Sequence, residues 1–188
     1  MIVVIGLGNP GSKYEKTRHN VGFEAVSKAA AFLHVKLRKR CFRLYRQAAV
    51  SVGENQALLI QPLTFMNASG KIMDCFDKDD TFVIACDNMD LAAGGLRIRQ
   101  GGGFSGQKGL ADIAEKLGRN DFTRIYIGIG RPSEGVDVPE HVLGIETDPQ
   151  KKDAVDKAVE DAASAIVKFI GGTSVEELQC EFNRKGIL

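Results

Sequence analysis

Three apolar runs rich in β-branched residues, IVVIG at residues 2–6, TFVIAC from Thr81 and RIYIGIG from Arg124, stand far apart in the chain with helix-patterned stretches among them. A run that is apolar on both faces must be covered on both faces, so such strands belong inside a sheet with helices on either side. The stretch from about His19 to Leu33 carries Val26, Ala29, Ala30 and Leu33 at helical spacing. Further helices are predicted from Asn67 or Ala68 to about Phe76, from Gly106 to Leu117, along the stripe from Val155 to Phe169, and from Val175 to Asn183. Residues 42–52 and 56–61 flank GENQ as an antiparallel hairpin, and a short strand is predicted over residues 96–99. The expected fold is α/β, a single-domain α/β/α sandwich over residues 1–188 with a mixed central sheet. At 44% hydrophobic residues, the chain can bury one sizeable core.

The first run leads into GLGNPG, where Gly6, Gly8 and Gly11 satisfy G-x-G-x-x-G. A dinucleotide site needs the third glycine at a helix start and an acid about twenty residues on. Pro10 sits inside the motif, SKYEKT delays the helix, and HVKLRKR occupies the place of the acid. The glycines read instead as a tight turn presenting Asn9, because glycine tolerates conformations that other residues avoid. A second Gly-rich segment, RQGGGFSGQKGL, could cradle a phosphate or act as a hinge over a crevice. It is not a P-loop, since Gly109 follows Lys108 where a hydroxyl would be needed for magnesium.

The formal net charge of +1 hides an uneven distribution. Lys36, Arg38, Lys39, Arg40, Arg43 and Arg46 crowd together with Phe42 and Tyr45 among them, a candidate phosphate-contacting patch. The other reading of this run is a solvated strand whose Cys41, Phe42 and Leu44 face a core. Acids gather at residues 74–80 and 146–161, so one face should be basic and another acidic. Cys41, Cys75, Cys86 and Cys180 form no C-x-x-C pair, which fits a reducing cytoplasm better than a metal or disulfide framework. No apolar run is long enough to span a bilayer and no basic leader precedes the first strand, so a cytoplasmic protein without membrane attachment is expected.

Four polar residues fall at element ends: Asn9 after the first strand, His19 and Asn67 at helix starts, and Asp87 at the end of a buried strand. Each has a plain structural use as a cap, turn or helix-start residue. Together they make a histidine, a carboxylate to fix its tautomer, and two carboxamides to hold a carbonyl. That set suits water-mediated ester hydrolysis.

GLGNPGSKYEKTRHNVGF, PLTFMNASG, CDNMDL, GGGFSGQKGL and IGIGRP occur in this order, and with them the chain resembles bacterial peptidyl-tRNA hydrolase from end to end. The resemblance implies an α/β/α sandwich active as a monomer without metal or cofactor. Its substrate would be the ester joining a peptide to the 3′-terminal ribose of tRNA, with the acceptor end and the nascent peptide as the parts engaged. It makes His19 the general base, Asp87 its orienting partner, Asn9 the residue that tells a blocked from a free α-amino group by accepting from a peptide N–H, and Asn67 the substrate-holding asparagine. Asn67, with the free N–H groups of its helix start, would stabilise the oxyanion. Tyr14, Phe65 and Met66 match positions that contact the tRNA end or its peptide. Arg99, with the basic patch, is expected to contribute phosphate contacts.

Three departures from the family pattern stand out. GHNG is GQKG here, which puts Gln107 at a histidine position and Lys108 at a substrate-binding asparagine. Tyr126 stands where a second arginine is common, and Asp87 is flanked by Cys86 and Asn88. Lysine donates but cannot accept, so Lys108 fits a phosphate or an ester carbonyl only. The alternative to an enzyme is a non-catalytic RNA-binding relative of the same fold, which the retained His19 and Asp87 argue against.

Overall fold

In the computed structural model, which describes residues 1–187, the strands are β1 (Ile2–Gly6), β2 (Arg38–Lys39), β3 (Tyr45–Val52), β4 (Asn55–Pro62), β5 (Thr81–Asn88), β6 (Leu96–Gln100) and β7 (Thr123–Gly128). They form one mixed sheet ordered β2-β3-β4-β1-β5-β7-β6. β4, β1, β5 and β7 run parallel, while β2, β3 and β6 pair antiparallel at the two sides. The helices are α1 (Val21–Phe32), α2 (Lys108–Leu117), α3 (Val138–Leu143), α4 (Pro149–Ile170) and α5 (Val175–Phe182). Strand alternation sends Val4 and Val83 to one face, where α1, α4 and α5 cover them with Val26, Val159, Ala162 and Leu178. Val3, Ile5 and Ile84 point to the other, under Ile72, Leu110 and Ile113. The expected three-layer α/β arrangement is therefore the one observed, and its parallel centre puts the carboxyl ends of β1 and β5 side by side.

The glycines after β1 work differently from the expectation. Gly6 and Gly8 are not at positive φ; only Gly11 is, at 108°. A Cβ on Gly6 would lie 2.2 Å from the Gly22 carbonyl oxygen, and one on Gly22 would lie 2.3 Å from the Ala85 carbonyl oxygen. The start of α1 thus rests directly on the backbones of β1 and β5, which bare glycines alone permit. His19 is carried to the strand ends by this close contact. It lies in a 3-10 turn, Arg18–Asn20, rather than in the helix itself.

The helix expected from Asn67 is a kinked 3-10 segment, Met66–Cys75, with non-helical angles at Ala68. Ser69 Oγ donates to the Met66 carbonyl, a local bond that competes with α-helical pairing. Gly70 packs against the Asp112 backbone of α2, and its N–H donates to Asp112 Oδ2 at 2.5 Å. The hairpin is present, but its first strand starts at Tyr45, because Arg40–Leu44 form a turn with Phe42 at φ 61°. Cys41, Phe42 and Leu44 are exposed, so the core-facing reading of this run fails. α2 starts at Lys108, two residues later than expected, because the Gln107 side chain caps it.

Arg124 is the largest fully buried side chain and has no carboxylate partner among the described residues. Its guanidinium instead donates to the carbonyls of Gly102 at 2.7 Å, Gly103 at 2.5 Å and Asn120 at 2.9 Å, between the rings of Phe104 and Phe122. Tyr126 Oη also donates to Gly103, at 3.2 Å. The Gly-rich loop before α2 is therefore fastened from beneath by charge-assisted bonds. Removing the side chain deletes hydrogen bonds from a charged donor, which contribute about 1.5–3 kcal/mol each. Arg124→Ala is expected to lower unfolding free energy by about 3–5 kcal/mol in urea titrations at unchanged m value; a loss under about 1 kcal/mol would contradict the fastening role.

Candidate active site

A cleft of ≈ 330 Å³ opens at the carboxyl ends of β1 and β5. Its polar wall holds Asn9, His19, Asn67, Asp87, Asn88, Gln107 and Lys108, and its apolar wall Phe65, Met66, Met89, Val138, Pro139, Val142 and Leu143. Asp87, 5% exposed, ends the buried run of β5. His19 Nδ1 lies 2.9 Å from Asp87 Oδ2. A carboxylate can only accept, so in the neutral ring Nδ1 carries the proton and Nε2 keeps its lone pair. Nε2 has no protein partner among the described residues.

The second oxygen of Asp87 is also committed. Gln107 Nε2 donates to Asp87 Oδ1 at 2.5 Å, while Gln107 Oε1 accepts from the Gly109 N–H at 2.8 Å. The α2 cap and the carboxylate contact are thus opposite ends of one buried amide, which leaves it a single orientation. Sequence reading marked Gln107 only as a departure. Its capping position, one residue before an amphipathic helix, was the signal that could have shown its second contact.

Asn9 is oriented in a similar way. Its Oδ1 accepts from the Met66 N–H at 2.8 Å, and its own N–H and carbonyl are held by the Asn20 side chain at 2.8 and 3.0 Å. Asn9 Oδ1 thus already accepts one bond, while the donor end, Nδ2, is unpaired among the described residues. The Met66 N–H is therefore not a free donor at a helix start. Asn67 is exposed on the same rim, with both ends of its amide unpaired among the described residues.

Lys108 is an exposed wall residue at the first position of α2. Tyr14 stands just outside, edge-on to the exposed ring of Phe65 at 6.3 Å. Arg99 lies away from the walls, on β6, where its guanidinium backs onto Gly102. Tyr126 is buried under the Gly-rich loop, and its hydroxyl is bonded to that loop rather than turned to solvent. Cys86, next to Asp87, is fully buried; burial and then the Asp87 charge push its thiol well above the ordinary range, which keeps it out of nucleophilic use.

α3 supplies much of the apolar wall and was not anticipated. Its signal was Asp137 followed by Pro139 and closed by Gly144. α3 is tied to the histidine turn by Arg18, which donates to the His141 carbonyl at 3.1 Å and to Glu146 Oε2 at 3.0 and 3.1 Å. Burial opposes the Glu146 charge, but the Asp148 N–H, the Arg18 guanidinium and the Thr147 N–H outweigh it and hold the carboxyl below its usual range.

Residues 3–187 match the family described as Peptidyl-tRNA hydrolase. The chain belongs to the peptidyl-tRNA hydrolase family. It is 39% identical over 195 residues to peptidyl-tRNA hydrolase from Bacillus subtilis, covering 98% of this chain and 100% of that one. Identity to the Geobacillus kaustophilus protein of the same name is 41% over 189 residues, 97% of this chain and 100% of the relative. The crystal structure of peptidyl-tRNA hydrolase from Acinetobacter baumannii superposes with a TM-score of 0.89 at 31% identity, over 99% of this chain and 96% of that one. The sandwich expected from the family resemblance is thus matched by solved structures over nearly its whole length.

With Asp87 accepting, the neutral imidazole of His19 is expected as the Nδ1–H tautomer, read from its ring ¹⁵N shifts at alkaline pH. Asp87→Asn should mix the tautomers; a wild-type ring protonated on Nε2 would contradict the geometry.

Proposed function

We propose that this chain hydrolyses the ester between a peptide, or an N-blocked aminoacyl group, and the 3′-terminal ribose of tRNA, freeing tRNA from aborted translation in the cytoplasm. The observation that carries the reading is the His19–Asp87 pair, 2.9 Å apart, at the floor of a cleft in a chain of this family. His19 Nε2 takes a proton from a water as the oxygen attacks the ester carbonyl, and Asp87 stabilises the imidazolium that forms. The same proton then passes to the departing ribose oxygen. The products are the free carboxylic acid and the tRNA hydroxyl.

Donors for the developing oxyanion come from Asn67 and from the Lys108 ammonium, both exposed on the rim. One such donor typically contributes on the order of 10²–10³ in rate. Asn9 selects the blocked group through its unpaired Nδ2. A peptide or N-acyl carbonyl accepts from that N–H, whereas a free α-ammonium would meet donor against donor. Met66 and the apolar residues of α3 receive the peptide side chains, and Tyr14 with Phe65 offers aromatic faces to the terminal adenine. Arg99 contributes phosphate contact at the edge of the Gly-rich loop. No cofactor takes part, and one chain holds a whole site. The non-catalytic RNA-binding alternative is not favoured, since the relatives bear the hydrolase name and the base and its partner are both kept.

The test is release of N-acetyl amino acid from N-acetyl-aminoacyl-tRNA beside the unblocked aminoacyl-tRNA. The blocked substrate alone should turn over, and His19→Ala should reduce kcat at least about 10²-fold with tRNA affinity unchanged. A His19→Ala enzyme with near wild-type kcat would remove the base assignment.

A further inference from the structure

The run from Lys36 to Arg46 forms the free side of the sheet next to the cleft. From Ala25 to Gly53 the chain contains no acid. Lys36, Arg38, Lys39, Arg40, Arg43 and Arg46 are all exposed, and none makes an ion pair among the described residues. The exposed cations of α4 differ: Lys152, Lys157 and Lys168 each pair with an acid on their own helix or on α5.

Two further observations separate this patch from an ordinary solvated strand. Phe42 is fully exposed at the tip of the Arg40–Leu44 turn, in a left-handed conformation that bulky residues rarely adopt, and Leu44 beside it is 53% exposed. The fold gains no burial from Phe42 and buries only about half of Leu44. The turn also lies on the cleft's end of the sheet. Tyr45 pairs with Pro62, the last residue of β4, which runs parallel to β1, and the Leu63 N–H donates to the Leu44 carbonyl at 2.7 Å. Leu63 leads within two residues to Phe65 on the cleft wall. From β1 to β2 is three strand spacings, about 15 Å at ~4.8 Å each.

We infer that this edge is a second RNA-contacting surface, which neutralises backbone phosphates of the acceptor arm of the same tRNA whose 3′ end enters the cleft. Phe42 lays its ring on that RNA. The inference rests on the proposed substrate. Charge selects a polyanion, the interleaved aromatic selects nucleic acid, and the shared rim selects the molecule already held nearby. Affinity supplied this way is independent of sequence and falls with salt, with a slope that counts the phosphates neutralised.

The experiment compares wild type with Lys39→Gln/Arg40→Gln/Arg43→Gln, and with Arg40→Gln alone as the milder change, on two substrates. One is N-acetyl-aminoacyl-tRNA; the other is the N-acetyl-aminoacyl ester of a CCA trinucleotide, which fills only the cleft. On tRNA, the triple variant should lose about tenfold or more in kcat/KM near 0.1 M salt, and the log–log salt slope should flatten by roughly two to three, about one per phosphate contact removed. On the trinucleotide ester both variants should match wild type. Phe42→Ala should weaken tRNA binding to a similar degree at every salt concentration. An unchanged slope on tRNA overturns the inference and leaves the patch to some other polyanion; an equal loss on both substrates overturns it in favour of a structural role. Binding of deacylated tRNA, measured in parallel, reads the same slope even if wild type fails to cleave either ester, which would count against the proposed reaction alone.

Discussion

The site depends on one carboxylate with both oxygens in use. Asp87 sits at the end of a strand buried on both sides and accepts from His19 through one oxygen and from Gln107 through the other. A buried carboxylate is costly unless its lone pairs are satisfied. Here the two donors belong to different layers of the sandwich, the turn before α1 and the cap of α2. The carboxylate that accepts from the imidazole therefore also joins the two helical layers across the end of the sheet.

Close approach at glycines sets where those layers meet the strand ends. Gly6 and Gly22 let α1 start against β1 and β5, and Gly109 lets α2 start against Leu7 and Met66. Arg124 secures the loop leading into α2 from below, and Arg18 secures the turn carrying His19 from the α3 side. Asn9 completes the arrangement by bonding both to Asn20 beside the histidine and to the Met66 amide. The cleft walls are thus drawn from five segments remote in sequence, each tied to a neighbour by a bond that leaves His19 Nε2 and the Asn67 amide unpaired among the described residues.

Much of this arrangement could be read from the sequence, and the parts that could not have physical reasons. Buried parallel strands announce themselves as continuous apolar runs, so β1, β5 and β7 and the carboxyl-end location of the site were legible. So was the grouping of Asn9, His19, Asn67 and Asp87, through motifs in a fixed order. The character of the segment after Phe65 was not, because Ser69 and Gly70 divert it from an α-helix by a local hydrogen bond and a tertiary contact that no periodicity records. α3 has only six residues and makes too short a pattern to detect. The direction of the Asn9 amide depends on a backbone N–H 57 positions away. Whether Phe42 faced core or water turned on one left-handed residue in the basic run.

The most direct test of the central claim, that Gln107 acts on the histidine through Asp87, is a double-mutant cycle on single-turnover hydrolysis of N-acetyl-aminoacyl-tRNA with Gln107→Ala, Asp87→Asn and the pair. If the amide works through the carboxylate, Gln107→Ala should slow the wild type but cost almost nothing further once Asp87 is asparagine, a coupling on the order of 1–2 kcal/mol. Losses that simply add would show that Gln107 affects the reaction by another route, and the account of a carboxylate held from both layers would be wrong.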